Sequence, residues 1–443
     1  MYKNCFRDEI REELFEDFKR IRKKSFDAEI KLNELITWLR TTPKVTTIRI
    51  NTLTSSAEKI IKNLIKKKNL SITRYPKLPE LLSVTKELDL VQTEIIIGLK
   101  EAVVDASCGA AVLRGAHVFA PGVMGLVYAN LDEQINVFAD VTGQCKKGLS
   151  KIYDCPSKIF VGCGLLKQTR GEIFRDNSSG VAIYLKRTTS GLPQLSNDDL
   201  EDGLLQNLPS IICSRILDPR PGDLVLDMCA APGNKTTHIS ALMNNVAGLV
   251  AIDKIQSKVD KLRANCRAAG SNVKIFCFNS LKAVDDAADK TRGFDKIQPP
   301  FARETFDKIL LDGPCSALGQ RPQLFNKITV KQLRSYVALQ RKLFSTAVEL
   351  LKPGGTLVYS TCTVTVAENE GIVAWALNNF PSLKLSSARK IYESFDLEDF
   401  PGSAGYDVDN LSSEEASYLL RFGPESDTIG FFIALFIKNQ EVS

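Results

Sequence analysis

Histidine is nearly absent from this chain of 443 residues, which contains only His117 and His238. Two histidines give little support for a catalytic triad or for a metal site built on imidazole. Cysteine is more frequent, with eleven residues, but the sequence has no C-x-x-C motif, and the neighbouring Cys155 and Cys163 lack a second pair. We therefore expect no bound metal.

Long hydrophobic runs are also absent. The longest apolar run, IGFFIALFI near the end of the chain, is too short to cross a bilayer, and the first residues, MYKNCFRDEIREELF, are charged. Without an export signal, many cysteines indicate a reducing compartment in which thiols stay free, so disulfides are the weaker interpretation. We expect a cytoplasmic, monomeric protein that makes no membrane contact.

The net charge of +6 is distributed unevenly. Residues 1–100 contain 21 Lys and Arg against 14 Asp and Glu, a net charge of +7, whereas residues 101–200 contain ten of each kind. The lysine run IIKNLIKKKNL suits contact with phosphates, but a solvated helix face explains it equally well. Both interpretations stay open.

The chain is long enough for about three domains, and its pattern of predicted helices and strands changes twice. Residues 1–100 combine helical periodicity with the alternating strand VTTIRINTL, which predicts a small α/β unit associated with RNA. Residues 101–190 show short strands separated by glycine turns, which predict a small β-barrel. Residues 204–443 alternate strands with helices, so we expect an α/β fold with a mostly parallel sheet covered by helices.

The first strand–helix turn of the third region reads DLVLDMCAAPGNKTTH. Its small residues let the backbone approach a ligand closely, and ligands bind outside the carboxyl ends of such strands. The turn has neither P-loop nor G-x-G-x-x-G spacing. Asp253 follows the second strand, where a carboxylate binds ribose hydroxyls. The alternative is a tight turn with a capping aspartate.

Two cysteines follow apolar strand-like runs, Cys315 in LLDGPCSALG and Cys362 in LVYSTCTVT. From the residues alone, four interpretations are open for this pair: packing, a disulfide, metal binding and catalysis. A buried inert thiol is the commonest role of any single cysteine. The two short motifs together, after a ligand-binding turn, favour catalysis.

Several segments, DMCAAPGNKTTH, AIDK, LLDGPCS, LQRKLF, LLKPGG and YSTCTVTVAENE, together resemble the Sun family of S-adenosylmethionine-dependent RNA cytosine-5 methyltransferases, over roughly residues 204–440. The family implies a Rossmann-like class I methyltransferase domain. The insert, with LRGAHVFAPGV and CKKG, resembles a PUA RNA-binding domain. This arrangement is similar to that of a tRNA-modifying member, which implies the tRNA acceptor stem and 3′ CCA end as partner.

The resemblance also implies roles for individual residues. Cys362 would be the nucleophile, Cys315 would assist release of the adduct, Asp312 would hold the base, and Lys235 would position it or lower the pKa of a thiol. The implied S-adenosylmethionine site comprises Cys229, Ala230, Ala231, Pro232, Gly233, Asn234, Lys235, Asp253, Lys258, Asn279 and Asp312. The implied RNA contacts are Arg114, Phe119, Lys146 and Lys147.

The target explains the need for a thiol. Carbon 5 of cytosine is a poor nucleophile, and addition of a thiolate at carbon 6 makes it enamine-like. The chain departs from the family pattern at Asn234, where a second glycine is usual, at Asn279, where aspartate is common, and at Gly313, where alanine is usual. We expect Asn234 to tolerate a left-handed backbone, and the first two changes to affect cofactor affinity. Alternatives are a methyltransferase for ribosomal or messenger RNA, and a non-catalytic RNA-binding scaffold.

Overall fold

The computed structural model describes residues 5–21, 27–67, 70–86, 94–195, 197–288 and 293–440; residues 68 and 69 of the lysine run lie outside these ranges. The helices are α1 (Asp8–Lys19), α2 (Ala28–Leu39), α3 (Ala57–Lys67), α4 (Ala106–Leu113), α5 (Arg170–Phe174), α6 (Asn197–Leu200), α7 (Leu208–Leu217), α8 (Asn234–Leu242), α9 (Gln256–Ala268), α10 (Val330–Leu350), α11 (Glu370–Asn379), α12 (Ala388–Glu393) and α13 (Ser413–Tyr418).

The strands form three sheets. They are β1 (Thr46–Ile50), β2 (Leu70–Arg74), β3 (Leu81–Lys86), β4 (Lys100–Asp105), β5 (Val118–Phe119), β6 (Val123–Leu126), β7 (Gln134–Asp140), β8 (Ile159–Leu166), β9 (Val181–Thr188), β10 (Gly203–Leu205), β11 (Val225–Asp227), β12 (Leu249–Asp253), β13 (Lys274–Cys277), β14 (Phe306–Asp312), β15 (Leu351–Thr361), β16 (Leu383–Ser386), β17 (Leu420–Phe422) and β18 (Phe431–Lys438). None of the described helices is long and apolar enough to span a membrane.

The first sheet has the strand order β10-β1-β3-β2 and is antiparallel throughout. Ile48 and Ile50 of β1 are buried in one core with Ile60 and Leu64 of α3. Because β10 spans residues 203–205, the boundary expected at 204 falls inside a strand of this sheet. Three residues are too few for the local pattern to show which sheet they join.

The two N-terminal helices pack away from this sheet. Leu14 and Phe18 of α1 are buried in one cluster with Leu318 and Val364, which belong to the third region of the chain. The first helix of the region predicted as residues 1–100 therefore packs against the third region of the chain. Helical periodicity shows that a helix buries one face, but it does not identify the surface that covers that face.

The middle region forms a six-stranded sheet with the order β5-β9-β8-β7-β4-β6. The outermost strands, β5 and β6, are joined by a 3-10 turn at Ala120–Gly122. Flat strands about 4.8 Å apart would place these two edges about 24 Å from each other. Three residues span at most about 11 Å, so the sheet must curl into a barrel-like shape.

The third region contains the largest sheet, with the order β13-β12-β11-β14-β15-β18-β16 and β17 paired to β18. The first five strands are parallel, and β18 runs antiparallel to its neighbours. The expected α/β architecture with a mostly parallel sheet is confirmed. The chain continues from β11 to β12 on one side of β11, and β14 lies on its other side. The strand order reverses there, so the crevice for a ligand lies at the carboxyl ends of β11 and β14.

Candidate active site

The turn after β11 brings its backbone close to neighbouring atoms. Its last residue, Gly233, has a φ of +109°, and a Cβ atom there would lie 2.8 Å from Leu262 Cδ1 of α9. Glycine avoids both the left-handed strain and this contact. Asn234 is the first residue of α8 and does not adopt a positive φ, so the predicted tolerance of asparagine for that backbone is not what preserves the turn.

Asp227 ends β11 beneath this turn and is 1% exposed. Its Oδ2 atom accepts a hydrogen bond of 2.7 Å from the Thr236 hydroxyl, while Oδ1 is buried without a partner among the described residues. Burial raises the pKa of Asp227 to about 7. An unpaired buried acceptor at a strand end is an available ligand contact. The sequence placed Asp227 at this strand end but did not include it in the site.

The other residues of the predicted cofactor site gather at the ends of neighbouring strands. Asp253 ends β12 and accepts a hydrogen bond of 3.1 Å from the Ile255 amide through Oδ1. Asn279 follows β13 and accepts one of 3.2 Å from the Leu281 amide. Lys258 lies in the first turns of α9 and is exposed. The remaining members, Cys229, Ala230, Ala231, Pro232, Gly233, Asn234 and Lys235, form the β11–α8 turn and the start of α8.

These residues fit S-adenosylmethionine. A carboxylate at the end of the second strand is placed for the ribose hydroxyls, as in other doubly wound sheets. Ala230, Ala231 and Gly233 carry no bulky side chain that would keep a ligand away from the backbone of the turn. The unpaired Oδ1 atom of Asp227 offers an acceptor at the centre of the crevice.

A partly buried ion pair links the cofactor turn to the next strand. Lys235 Nζ donates a hydrogen bond of 2.6 Å to Asp312 Oδ2, and the Ser360 hydroxyl donates one of 2.7 Å to Asp312 Oδ1. Lys235 also lies 5.3 Å from the centre of the Phe431 ring. Burial alone would lower the pKa of Lys235, but Asp312 raises it above its ordinary value, so the lysine stays charged. The sequence did not single out Ser360 or Phe431.

The two cysteines meet beside this pair. Cys315 Sγ and Cys362 Sγ are 3.5 Å apart, and both residues are free thiols. The hydrogen bond shared with Cys315 lowers the pKa of Cys362, whereas burial and the charge of Asp312 raise it. A side-chain hydrogen bond with Gln320 and the charge of Lys235 also lower it, and the net shift is downward. The shared hydrogen bond and burial raise the pKa of Cys315. The arrangement therefore favours a thiolate at Cys362 and a thiol at Cys315.

The rival interpretations can be compared with this geometry. Among the described residues, no group of three His, Cys, Asp or Glu side chains is arranged to hold a metal ion. His238 is buried against Glu80, with its Nε2 atom 3.2 Å from Oε1, outside the catalytic cluster. His117 packs against Tyr184, with ring centres 4.1 Å apart.

The predicted RNA contacts lie on the barrel-like sheet. Phe119 is 51% exposed, and Lys146 and Lys147 are exposed in the loop after β7. Arg114 differs from the expectation of an exposed side chain, because it is partly buried and its Nη1 atom donates a hydrogen bond of 3.1 Å to the Arg321 carbonyl. Its partner lies more than two hundred positions away in the sequence, so no local pattern could reveal it.

The strand order and the ligand-binding turn define a class I methyltransferase. A family model described as 16S rRNA methyltransferase RsmB/F matches residues 214–437. The chain belongs to this family, the Sun family of RNA cytosine-5 methyltransferases, as its sequence motifs predict. It is an S-adenosylmethionine-dependent enzyme.

Relatives match over nearly the whole chain. Human tRNA (cytosine(72)-C(5))-methyltransferase NSUN6 is 40% identical over 93% of this chain and 92% of its own length. A tRNA (cytosine(72)-C(5))-methyltransferase from Pyrococcus horikoshii is 33% identical over 89% of this chain and 90% of its own. The crystal structure of NSun6 from Pyrococcus horikoshii with SFG, an S-adenosylmethionine analogue, has a TM-score of 0.73 and 29% identity, covering 99% of this chain and 100% of that chain.

Proposed function

We propose that this enzyme methylates carbon 5 of a cytosine near the acceptor end of tRNA. The observation that carries the proposal is the pair of thiols, Cys315 and Cys362, held 3.5 Å apart beside the Lys235–Asp312 ion pair. The relatives named for cytosine 72 of tRNA, which match over most of this chain, support the choice of substrate.

Cys362 is the nucleophile in this proposal. Its thiolate adds to carbon 6 of the cytosine, and the electron pair displaced from the ring makes carbon 5 nucleophilic. The lowering of the Cys362 pKa by its neighbours favours the thiolate form. Cys315, beside the adduct sulfur, assists the final step, in which a base removes the carbon 5 proton, the Cys362 thiolate leaves and the ring regains its aromaticity.

Asp312 and Lys235 orient the base and balance charge. Asp312 faces the crevice from the end of β14 and is held on one side by Lys235 and on the other by Ser360. A carboxylate fixed in this way can accept a hydrogen bond from the exocyclic amine, and a proton shared between Asp312 and ring nitrogen 3 would stabilise the negative charge that develops on the ring during addition. Lys235 compensates the charges of Asp312 and Cys362 in a site that excludes most water.

The cofactor site lies at the ends of the adjoining strands. Bound S-adenosylmethionine supplies the electrophilic methyl group that carbon 5 takes up. Asp253 would hold the ribose hydroxyls, Asn279 the adenine amine, and the β11–α8 turn would line the remainder. Lys258, exposed at the start of α9, would contribute only at the rim.

The middle region, residues 101–190, acts as a PUA-like RNA-binding module in this proposal, with Phe119, Lys146 and Lys147 on its exposed surface. A cavity of about 510 Å³ separates it from the loop after Cys315 and is lined by Arg114 on one side and by Gln320 and Lys327 on the other. A 3′ CCA end held by the module would bring the acceptor stem towards the thiols. Residues 1–100 would add basic charge along the RNA.

The cellular setting is part of the proposal. All eleven cysteines are free thiols, which suits a reducing compartment such as the cytoplasm. One chain carries both the catalytic residues and the RNA-binding module, so a monomer would suffice.

Bisulfite sequencing tests the substrate. We expect tRNA incubated with the protein and S-adenosylmethionine to gain one 5-methylcytosine near the acceptor end. Removal of the 3′ CCA end should abolish methylation but leave cofactor binding unchanged. Equal rates on trimmed and intact tRNA would favour ribosomal or messenger RNA as substrate, and RNA binding without any methylation would favour a scaffold.

A further inference from the structure

The residues that follow the two cysteines are joined to each other. Ser316 follows Cys315, Thr363 follows Cys362, and their hydroxyl oxygens are 2.6 Å apart. Both residues are buried. The 3.5 Å contact between the two sulfurs therefore has a second, parallel contact behind it.

A buried carboxylate organises this second contact. Glu368 is 0% exposed, and it accepts hydrogen bonds from the Ser316 amide at 2.9 Å and from the Ser316 hydroxyl at 2.5 Å. The Thr365 hydroxyl and Gln340 Nε2 each donate one more at 3.0 Å. These four donors are neutral groups. No cation is among these donors.

Glu368 also reaches the other side of Cys315. Gln340 Nε2, which donates to Glu368, donates a second hydrogen bond of 3.0 Å to the Pro314 carbonyl. The residues before and after Cys315 are thus both tied to one carboxylate. A backbone held on both sides of a reactive group leaves that group little freedom.

The charge of Glu368 acts unequally on the two thiols. It contributes to the raised pKa of Cys315, after the hydrogen bond to Cys362 and burial, whereas it is absent from the main influences on Cys362. Tyr336 of α10 and Tyr359 of β15 lie near Glu368, which also lines a cavity together with Asp17, Arg20 and Arg334. The pKa values of both tyrosines are raised, chiefly by burial, so both stay neutral.

We propose that Glu368 is a positioning residue that holds the two cysteines in register and keeps the shared proton on Cys315, which leaves the thiolate on Cys362. The mechanism alone does not explain why two adjacent thiols of the same kind take different roles. In this proposal the asymmetry comes from a buried negative charge on one side of the pair. The inference rests on the proposed roles of the two cysteines.

Alkylation tests this assignment without RNA. In the full-length wild-type protein, iodoacetamide followed by peptide mass spectrometry should label Cys362 at least about tenfold faster than Cys315 near neutral pH, because the thiolate is the reactive form. The Glu368→Gln variant retains the shape and removes the charge. We expect the ratio of the labelling rate of Cys362 to that of Cys315 to fall by at least about threefold in this variant. The pH midpoint for labelling of Cys315 should move down.

Two further variants separate charge from stability. Glu370→Gln removes a carboxylate that is also 0% exposed but is paired with Arg421, so it tests the effect of destabilisation alone. It should leave the labelling preference unchanged. Ser316→Ala removes the hydroxyl that contacts Thr363 and Glu368 but retains the Glu368 carboxylate. It should slow methylation, while Cys362 stays the more reactive thiol.

Three results would overturn the proposal. One is an unchanged labelling preference in folded Glu368→Gln, and another is an equal loss of preference in Glu370→Gln. If Glu368→Gln does not fold, the wild-type protein decides, because faster labelling of Cys315 than of Cys362 contradicts the assignment directly. A protein that labels as expected but methylates no tRNA would contradict the proposed function and leave the role of Glu368 intact.

Discussion

The carboxylate of Asp17 accepts a hydrogen bond of 3.0 Å from the backbone amide of Ala367. Asp17 lies in α1, near the start of the chain, and Ala367 lies in the segment that follows Cys362, the proposed nucleophile. The same carboxylate also accepts from the Val366 amide. The first helix therefore supports the loop that follows the proposed nucleophile.

This contact predicts a pH dependence of stability. Burial raises the pKa of Asp17 from its ordinary value near 4 to about 6, so the folded state holds a proton that the unfolded state has lost. Stability from this group should be greatest below about pH 4 and should fall as the pH rises towards 6, by about 2 to 3 kcal/mol.

The measurement is the difference in melting temperature between the wild-type protein and Asp17→Asn across this pH range. The variant has no titrating group at this position, so its curve should be flatter than that of the wild type. Glu16→Gln, on the exposed side of the same helix, should follow the wild-type curve. Parallel curves for Asp17→Asn and the wild type would contradict the prediction.

The two cysteines should give opposite results in a trapping experiment. Cys362→Ala should reduce turnover to background without a covalent RNA complex, because no neighbouring group replaces the thiolate. Cys315→Ala should still permit addition and methyl transfer but remain attached to the RNA, visible as a retarded band on denaturing gels. The double variant should lose that band. Cys155→Ala, in the middle region, should behave as the wild type.

Reversed behaviour would exchange the two assignments. If Cys362→Ala trapped RNA and Cys315→Ala did not, Cys315 would be the nucleophile. If neither variant changed activity, both cysteines would be packing residues.

Asp253 should be needed for cofactor affinity. Its replacement by alanine leaves the ribose hydroxyls without an acceptor and should weaken S-adenosylmethionine binding by about 1.5 to 3 kcal/mol, the usual range for hydrogen bonds to a charged group. Calorimetry measures the change. Asp260→Ala, on the exposed surface of α9, is the matched control and should bind normally. Equal affinities would remove Asp253 from the site.

Lys146 and Lys147 should contribute electrostatic binding to RNA. Replacing both by alanine should weaken tRNA binding and reduce the slope of log affinity against log salt by about 1 to 2. A salt titration by fluorescence anisotropy measures both quantities. Lys167→Ala, whose lysine is paired with Asp132 on the same module, should change the slope less. An unchanged slope in the double variant would place the RNA elsewhere.

Local patterns in the sequence were sufficient for the elements around the cofactor. The alternation of apolar strands and helices predicted the parallel sheet, and the turn after Asp227 and the carboxylate of Asp253 were placed at its edge correctly. They were predictable because strand ends and turn residues are local features. The family motifs also singled out Cys315 and Cys362, although the residues alone left their role open.

Other features depend on contacts between distant segments. The partners of Arg114 and Asp17 lie hundreds of positions away, and β10 joined a sheet that its three residues do not indicate. Glu368 is present in the motif YSTCTVTVAENE, but no pattern shows that it binds Ser316. Such contacts depend on which surfaces the folded elements bring together.

The sequence by itself determined the class of enzyme, because its family motifs single out two thiols, a carboxylate and a lysine as the reactive groups. Only the tertiary structure decided how those groups differ from one another. The 3.5 Å contact between the sulfurs, the ion pair of Lys235 with Asp312 and the buried charge of Glu368 set which thiol loses its proton. The reason is physical: pKa values depend on distance and burial, and folding sets both.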